Sequence, residues 1–159
     1  MQFELASDKH HRIFAQWSQF RPFEERTCRP VVNGKRVSPS KDVIKLAFTI
    51  DGIDKLVGKF EYFDFNPRNR SAEFGYTVNP KFRRQGIGTK MLNMAITHLF
   101  SDANLNLNKL YCQTAAFNVA SIALLEKLNF HRDAVLREHH ELNGKLHDDY
   151  IFSILRREL

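Results

Sequence analysis

The sequence predicts an α/β fold, and three observations carry that prediction. Apolar residues alternate in the two-residue period of strands across much of 43–78, then shift to three- and four-residue spacing in 86–100 and 118–128. Near the C-terminus, Asn143-Gly144 separates two strand-like segments and is the dipeptide most favoured by a type I′ hairpin turn. The length of 159 residues, with 43% hydrophobic residues and 14 Phe, suits one domain with a substantial core, so residues 1–159 are taken as a single unit.

From the N-terminus, Ile13, Phe14, Trp17 and Phe20 recur on a helical period and predict an amphipathic helix over Asp8 to Phe20. Residues 21–40 hold Pro22, Pro30, Gly34 and Pro39 among many charges, and predict an irregular connection with one short helix at most. Strands resume at Val43: IKLAFTID, a turn at Asp51-Gly52, and KLVGKFEYFDF, where Leu56, Phe60 and Phe63 are the alternating apolar residues. The turn-rich Asn66 to Arg70 leads into SAEFGYTV, completing an antiparallel meander through Val78.

Gly86 to Phe100 sets Ile87, Met91, Leu92, Ala95 and Leu99 on one helical face. A strand at Leu110 to Thr114, a helix from Asn118 to Leu128, and a hairpin of Phe130 to Leu142 with Lys145 to Leu155 complete the chain. The helix between the third and fourth strands must cross over, which makes those two strands parallel neighbours. Ligands of such sheets bind at strand ends where the chain order switches.

The net charge of +6 suits a polyanionic partner, and Arg68, Arg70, Lys81, Arg83 and Arg84 crowd one stretch, favouring a local phosphate site over a diffuse basic face. Cys28 and Cys112 lie far apart with no metal or disulfide spacing, so two reduced thiols and no metal are expected. No apolar run approaches the ~18 residues of a membrane helix, and MQFELASDKHH does not resemble an export leader. A cytoplasmic protein is expected.

The strongest local signal is FRRQGIGTK, Phe82 to Lys90, between a strand and a helix. Glycines let the backbone curl around a bulky anion while unpaired N–H groups of the first helical turn point at it, and Arg83 and Arg84 add charge. An ordinary loop with solvated arginines is the bland alternative. The third glycine of a dinucleotide fingerprint is missing, and Gly88 is followed by Thr89 and then Lys90, which is not a Walker-type ending.

Arg83-x-x-Gly86-x-Gly88 resembles the acyl-CoA pyrophosphate loop of the GNAT superfamily of N-acetyltransferases. Ala72 to Pro80 looks like that family's splayed strand, Asn118 to Phe130 like its second CoA-contacting helix, and Val135 to Leu159 is similar to the closing hairpin of the Rim-type branch, the ribosomal-protein N-terminal acetyltransferases and their relatives. The resemblance covers more than half the chain. It implies the GNAT fold, a mostly antiparallel sheet with one parallel pair at the acyl-CoA site, and acetyl-CoA as co-substrate.

Carried over residue by residue, the resemblance implies that the backbone at Val78 holds the pantetheine arm. Arg83, Arg84, Gln85, Gly86, Ile87, Gly88 and Thr89 would hold the pyrophosphate. Asn118 would bond the cofactor farther along or simply cap its helix. Ser121, one turn on, would sit near the leaving thiolate, with a packing role as the alternative. The tyrosine acid that many family members carry four positions later is absent, since that place is Leu125. Asn129 stands where the family has Gly, and Asn tolerates the left-handed conformation a helix ending there requires.

Acyl transfer needs an uncharged amine, so a base near neutrality is required. Glu73, in the Ala-Glu-x-Gly-Tyr setting, is the first candidate. His140, three residues before the hairpin turn, is the second, unless it is merely exposed. Glu24, Glu25, Asp148 and Asp149 could attract a cationic acceptor or be surface charges. The expected reaction is acetyl transfer to a primary amine of a peptide or protein N-terminus, a polyamine or another small amine. A CoA-binding regulatory domain or a basic nucleic-acid module would be the alternatives; no nucleic acid, membrane or metal is expected, and monomer and homodimer both remain open.

Overall fold

The computed structural model describes residues 1–17, 31–32, 35–36, 42–50 and 53–159. A seven-stranded sheet forms its centre, from β1 (Gln2–Leu5), β4 (Ile44–Ile50), β5 (Ile53–Asn66), β6 (Ser71–Val78), β7 (Lys109–Ala115), β8 (His131–Leu142) and β9 (Lys145–Leu155). β2 (Val31–Val32) and β3 (Lys35–Arg36) make a separate two-residue ladder. The helices are α1 (Asp8–Trp17), α2 (Ile87–Ser101) and α3 (Val119–Lys127). Spatial order is β1-β4-β5-β6-β7-β9-β8, antiparallel at every step except β6 beside β7. The parallel pair is the one the crossover helix requires.

Predicted elements from Ser71 onward match to within a residue or two. The apolar stripe of α2 (Ile87, Met91, Leu92, Ala95, Leu99) is buried with Phe48, Phe60, Phe74, Leu110, Leu125, Phe130 and Phe152 in one cluster. Each of the larger side chains contributes roughly 1.5–3 kcal/mol by leaving water. On the opposite face of the sheet, α1 packs Ile13, Phe14 and Trp17 against Ala47 and Leu56. Asn143 and Gly144 both have positive φ, 54° and 76°, as a type I′ turn demands.

Four expectations need revision. The edge strand β1 was not anticipated, because four residues of alternation are too short a signal. Leu56, Phe60 and Phe63 do not share a face: a bulge between the Phe48–Gly58 and Thr49–Leu56 pairs turns Leu56 toward α1, while Val57 and Phe60 enter the main core. Arg68 and Arg70 are exposed in the turn that precedes β6, whereas Lys81, Arg83 and Arg84 follow its other end. Eight strand residues span roughly 26 Å, so the basic cluster divides in two. Asp149 is fully buried rather than a surface charge. The predicted helical end at Phe20, any short helix in 21–40 and the turn at Asp51-Gly52 lie outside the described residues.

Candidate active site

β6 and β7 pair only at Ser71–Lys109, Ala72–Leu110 and Glu73–Tyr111. Beyond Glu73 the two strands part, leaving Gly75 to Val78 facing the C-terminal half of β7 across a cleft. The chain leaves both strands at the same end of the sheet, so the loop before α2 and the start of α3 meet there. This is the strand-end switch point where the sequence placed a ligand.

The loop carries the features an anion cradle needs. Asn79 anchors its entrance, with N–H bonded to the Val57 carbonyl at 2.9 Å, Nδ2 to the Leu56 carbonyl at 2.9 Å, and Oδ1 accepting from Lys81 N–H at 3.1 Å. Asn79 was not singled out in the sequence, although Asn before Pro is a turn signal. Arg84 (φ 58°) and Gly86 (φ 74°) both turn left-handed, and Gly86 caps α2 with no side chain occupying the cap. The first N–H groups of a fifteen-residue helix therefore face a loop backbone with no Cβ at Gly86.

Gly88 has a different function. A Cβ there would lie 2.9 Å from Leu124 Cδ2 and 3.5 Å from Val78 Cγ2, so its absence lets α2 approach α3 and the end of β6. Arg84, Gln85 and Gly86 are exposed, and Arg83 and Thr89 half-buried. The Ile87 side chain is buried in the core, so only its backbone remains for a ligand. Arg83 Nε donates to the Val78 carbonyl at 3.3 Å, tying the loop to the strand whose backbone was expected to hold the pantetheine. These residues fit a pyrophosphate-bearing thioester: donors and positive charge at the loop, and a cleft between strands for an extended arm.

The two faces of β6 carry different chemistry. Phe74 and Tyr76 point into the main core, where Phe74 stacks on Phe60 and lies against Phe130. By the strand pleat Glu73 and Gly75 face the α1 side. There Gly75 lies beside Glu61, a buried carboxylate ion-paired with Lys59 at 3.2 Å, and the Lys59 ammonium sits over the Phe14 ring of α1. Glu73 is half-buried at the last paired register before the strands part. Cys112 in β7 is buried, and burial first, then the nearby Glu73 charge, push its thiol above the usual range.

Asn118 caps α3, its Oδ1 accepting from the Ser121 N–H at 3.4 Å. Ser121 Oγ lies 2.7 Å from the Tyr76 hydroxyl, a bond that bridges from β6 to α3. Leu125, where the usual tyrosine would stand, is fully buried in the core. Sequence reasoning named Ser121 but missed Tyr76, for which a strand tyrosine gave no signal beyond its neighbours.

His140 is not exposed. Its ring is buried, meets Phe117 edge to face at 5.1 Å, and puts Nδ1 3.6 Å from Oδ1 of Asp149. Asp149 Oδ2 accepts from Gln113 Nε2 at 2.7 Å. Phe117, two residues after β7 ends, thus ties the closing hairpin to the entrance of α3. The structure therefore brings Glu73, Ser121, Asn118 and the loop to one end of the sheet, and walls His140 in beside them.

A family model described as an acetyltransferase (GNAT) domain matches residues 1–131. The N-acetyltransferase p20 of Bacillus licheniformis, itself uncharacterised, is 28% identical over 114 residues, 72% of this chain and 63% of p20. YdaF of Bacillus subtilis, named provisionally as a ribosomal N-acetyltransferase, is 31% identical over 115 residues, 72% of this chain and 61% of YdaF. The chain thus spans about three-fifths of the length of these curated relatives. The crystal structure of spermidine N-acetyltransferase from Vibrio cholerae in complex with CoA and spermine superposes with a TM-score of 0.82 at 20% identity, covering 99% of this chain and 96% of that one. At that identity the likeness speaks for the fold.

Proposed function

Because the chain belongs to the GNAT acetyltransferase family, we propose that it transfers acetyl from acetyl-CoA to a primary amine by direct attack. The observation that carries this reading is the parting of β6 from β7 beside the glycine loop that opens α2. A thioester arm entering between the strands would leave its diphosphate at the loop. Arg83, Arg84 and the first N–H groups of α2 supply charge-assisted hydrogen bonds worth roughly 1.5–3 kcal/mol each where shielded.

The amine approaches from the α1 side, where Glu73 takes its proton directly or through one water. Glu73 is favoured over His140 because it stands at the mouth of the cleft, whereas the His140 ring is enclosed by Phe117 and Asp149. The amine nitrogen forms its bond to the carbonyl carbon as the carbon–sulfur bond breaks, and Ser121 donates a hydrogen bond to the departing thiolate from the α3 side. The acceptor is a peptide or protein N-terminus, a polyamine or another small amine. The closing hairpin favours the Rim-type branch.

The test is thiol release from acetyl-CoA against a panel of peptides, polyamines and amino sugars, with calorimetric titration of CoA. Release with one acceptor class would name the substrate. CoA binding without release over the panel would favour a regulatory domain, and no CoA binding would overturn the proposal.

A further inference from the structure

We propose that Tyr76 is a positioning residue for Ser121: its phenolic O–H donates to Ser121 Oγ, turning the serine proton toward the sulfur of the bound thioester. The inference deepens the reading of the site as an acetyltransferase and rests on it. The two hydroxyls are 2.7 Å apart and come from elements 45 residues distant in sequence, meeting where β6 and β7 have parted. Either oxygen could be the donor on distance alone. A phenol is the stronger donor of the two, and burial, outweighing the hydrogen bond to Ser121, pushes the Tyr76 hydroxyl well above the usual range, so it keeps its proton at every working pH.

Both residues stand on anchored elements. The Tyr76 ring stacks beside Phe74 at 6.3 Å, and the Ser121 N–H is held by the Asn118 cap at 3.4 Å. With its oxygen accepting from Tyr76, Ser121 keeps its single proton to place elsewhere. As the carbon–sulfur bond breaks, the electron pair stays on sulfur. The thiolate is met by the Ser121 O–H, itself polarised by Tyr76, and later takes its proton from water. A hydroxyl pair from two elements thus stands in for the single tyrosine that cannot come from Leu125, which is buried.

The test is a double-mutant cycle of Tyr76→Phe and Ser121→Ala, read in two ways. In turnover, each single change should lower kcat about tenfold with KM for acetyl-CoA within about twofold, and the double variant should be no slower than Ser121→Ala. In binding, the thiol of CoA bound to the unmodified protein, followed by thiolate absorbance, should ionise about one pH unit lower than in solution, and the shift should vanish in either variant. The binding readout needs no acceptor, and Tyr76→Phe, which removes only the phenolic oxygen and keeps the ring beside Phe74, is its decisive variant. Additive losses, or a bound thiol that ionises alike with and without the Tyr76 hydroxyl, would overturn the positioning role while leaving the acetyltransferase reading intact. CoA binding and thiol shift without turnover on any amine would support this inference and sink the catalytic reading; no CoA binding would remove both.

Discussion

His140 Nδ1 lies 3.6 Å from Asp149 Oδ1, a carboxylate oxygen with no solvent exposure that no hydrogen-bond donor reaches among the described residues. Its other oxygen is held by Gln113 at 2.7 Å, so the carboxylate links β7, β8 and β9 inside the protein. Asp149→Ala strands the Gln113 amide and should cost about 1–3 kcal/mol of stability in urea unfolding. Asp149→Asn keeps an acceptor for Gln113 and should cost less. Equal stability of all three proteins would mean that the carboxylate holds nothing together.

Glu73 and His140 separate cleanly in a rate measurement. Glu73→Gln keeps size and removes the proton acceptor, and kcat should fall about a hundredfold with CoA affinity unchanged. His140→Gln should keep most of the turnover and lose thermal stability instead, since the ring packs on Phe117. The reverse pattern would move the base to His140.

The division of the basic cluster has its own consequence. Arg83 sits at the loop and donates to the Val78 carbonyl, while Arg70 is exposed at the opposite end of β6. Arg83→Ala should weaken CoA binding about tenfold by calorimetry. Arg70→Ala should leave it unchanged. An equal effect of both would indicate a diffuse basic face after all.

Gly86 and Gly88 are both loop glycines by sequence, but they respond to different changes. Nothing lies within 4 Å of a Cβ at Gly86, so Gly86→Ala carries only the left-handed backbone penalty of about 1–2 kcal/mol. Gly88→Ala drives a methyl against Leu124 and should loosen α2 from α3, lowering both the melting temperature and CoA affinity. A Gly88→Ala protein with full CoA affinity would remove the packing argument.

The elements that build this site were legible where a local rule acts alone. Period-two alternation marked Ser71–Val78, the Asn118 cap marked α3, and Asn143-Gly144 marked the hairpin. What the sequence could not reveal depends on elements meeting. The bulge that sends Leu56 and Phe60 to opposite faces arises from pairing with β4. Asp149 reads as one of two adjacent acids, yet its burial follows from lying between Ala115 of β7 and Leu136 of β8, paired on both sides. Tyr76 and Ser121 become partners only once α3 packs over the parted strands.

Asp133 is a carboxylate whose partners should contribute to stability in acid. Burial acts to raise its carboxyl, but hydrogen bonds from Lys109 at 2.6 Å, Ser153 at 2.7 Å and His131 at 3.0 Å outweigh it and hold the group down to about 2, against an ordinary 3.8. A carboxyl depressed by folding stabilises fully above its unfolded value and loses that contribution as pH falls through the folded one. Between pH 4 and pH 2 the urea midpoint should therefore drop, and in Asp133→Asn the drop should be smaller because the neutral amide starts without the ionic hydrogen bonds. A parallel pH dependence in the two proteins would show that another carboxylate governs acid unfolding.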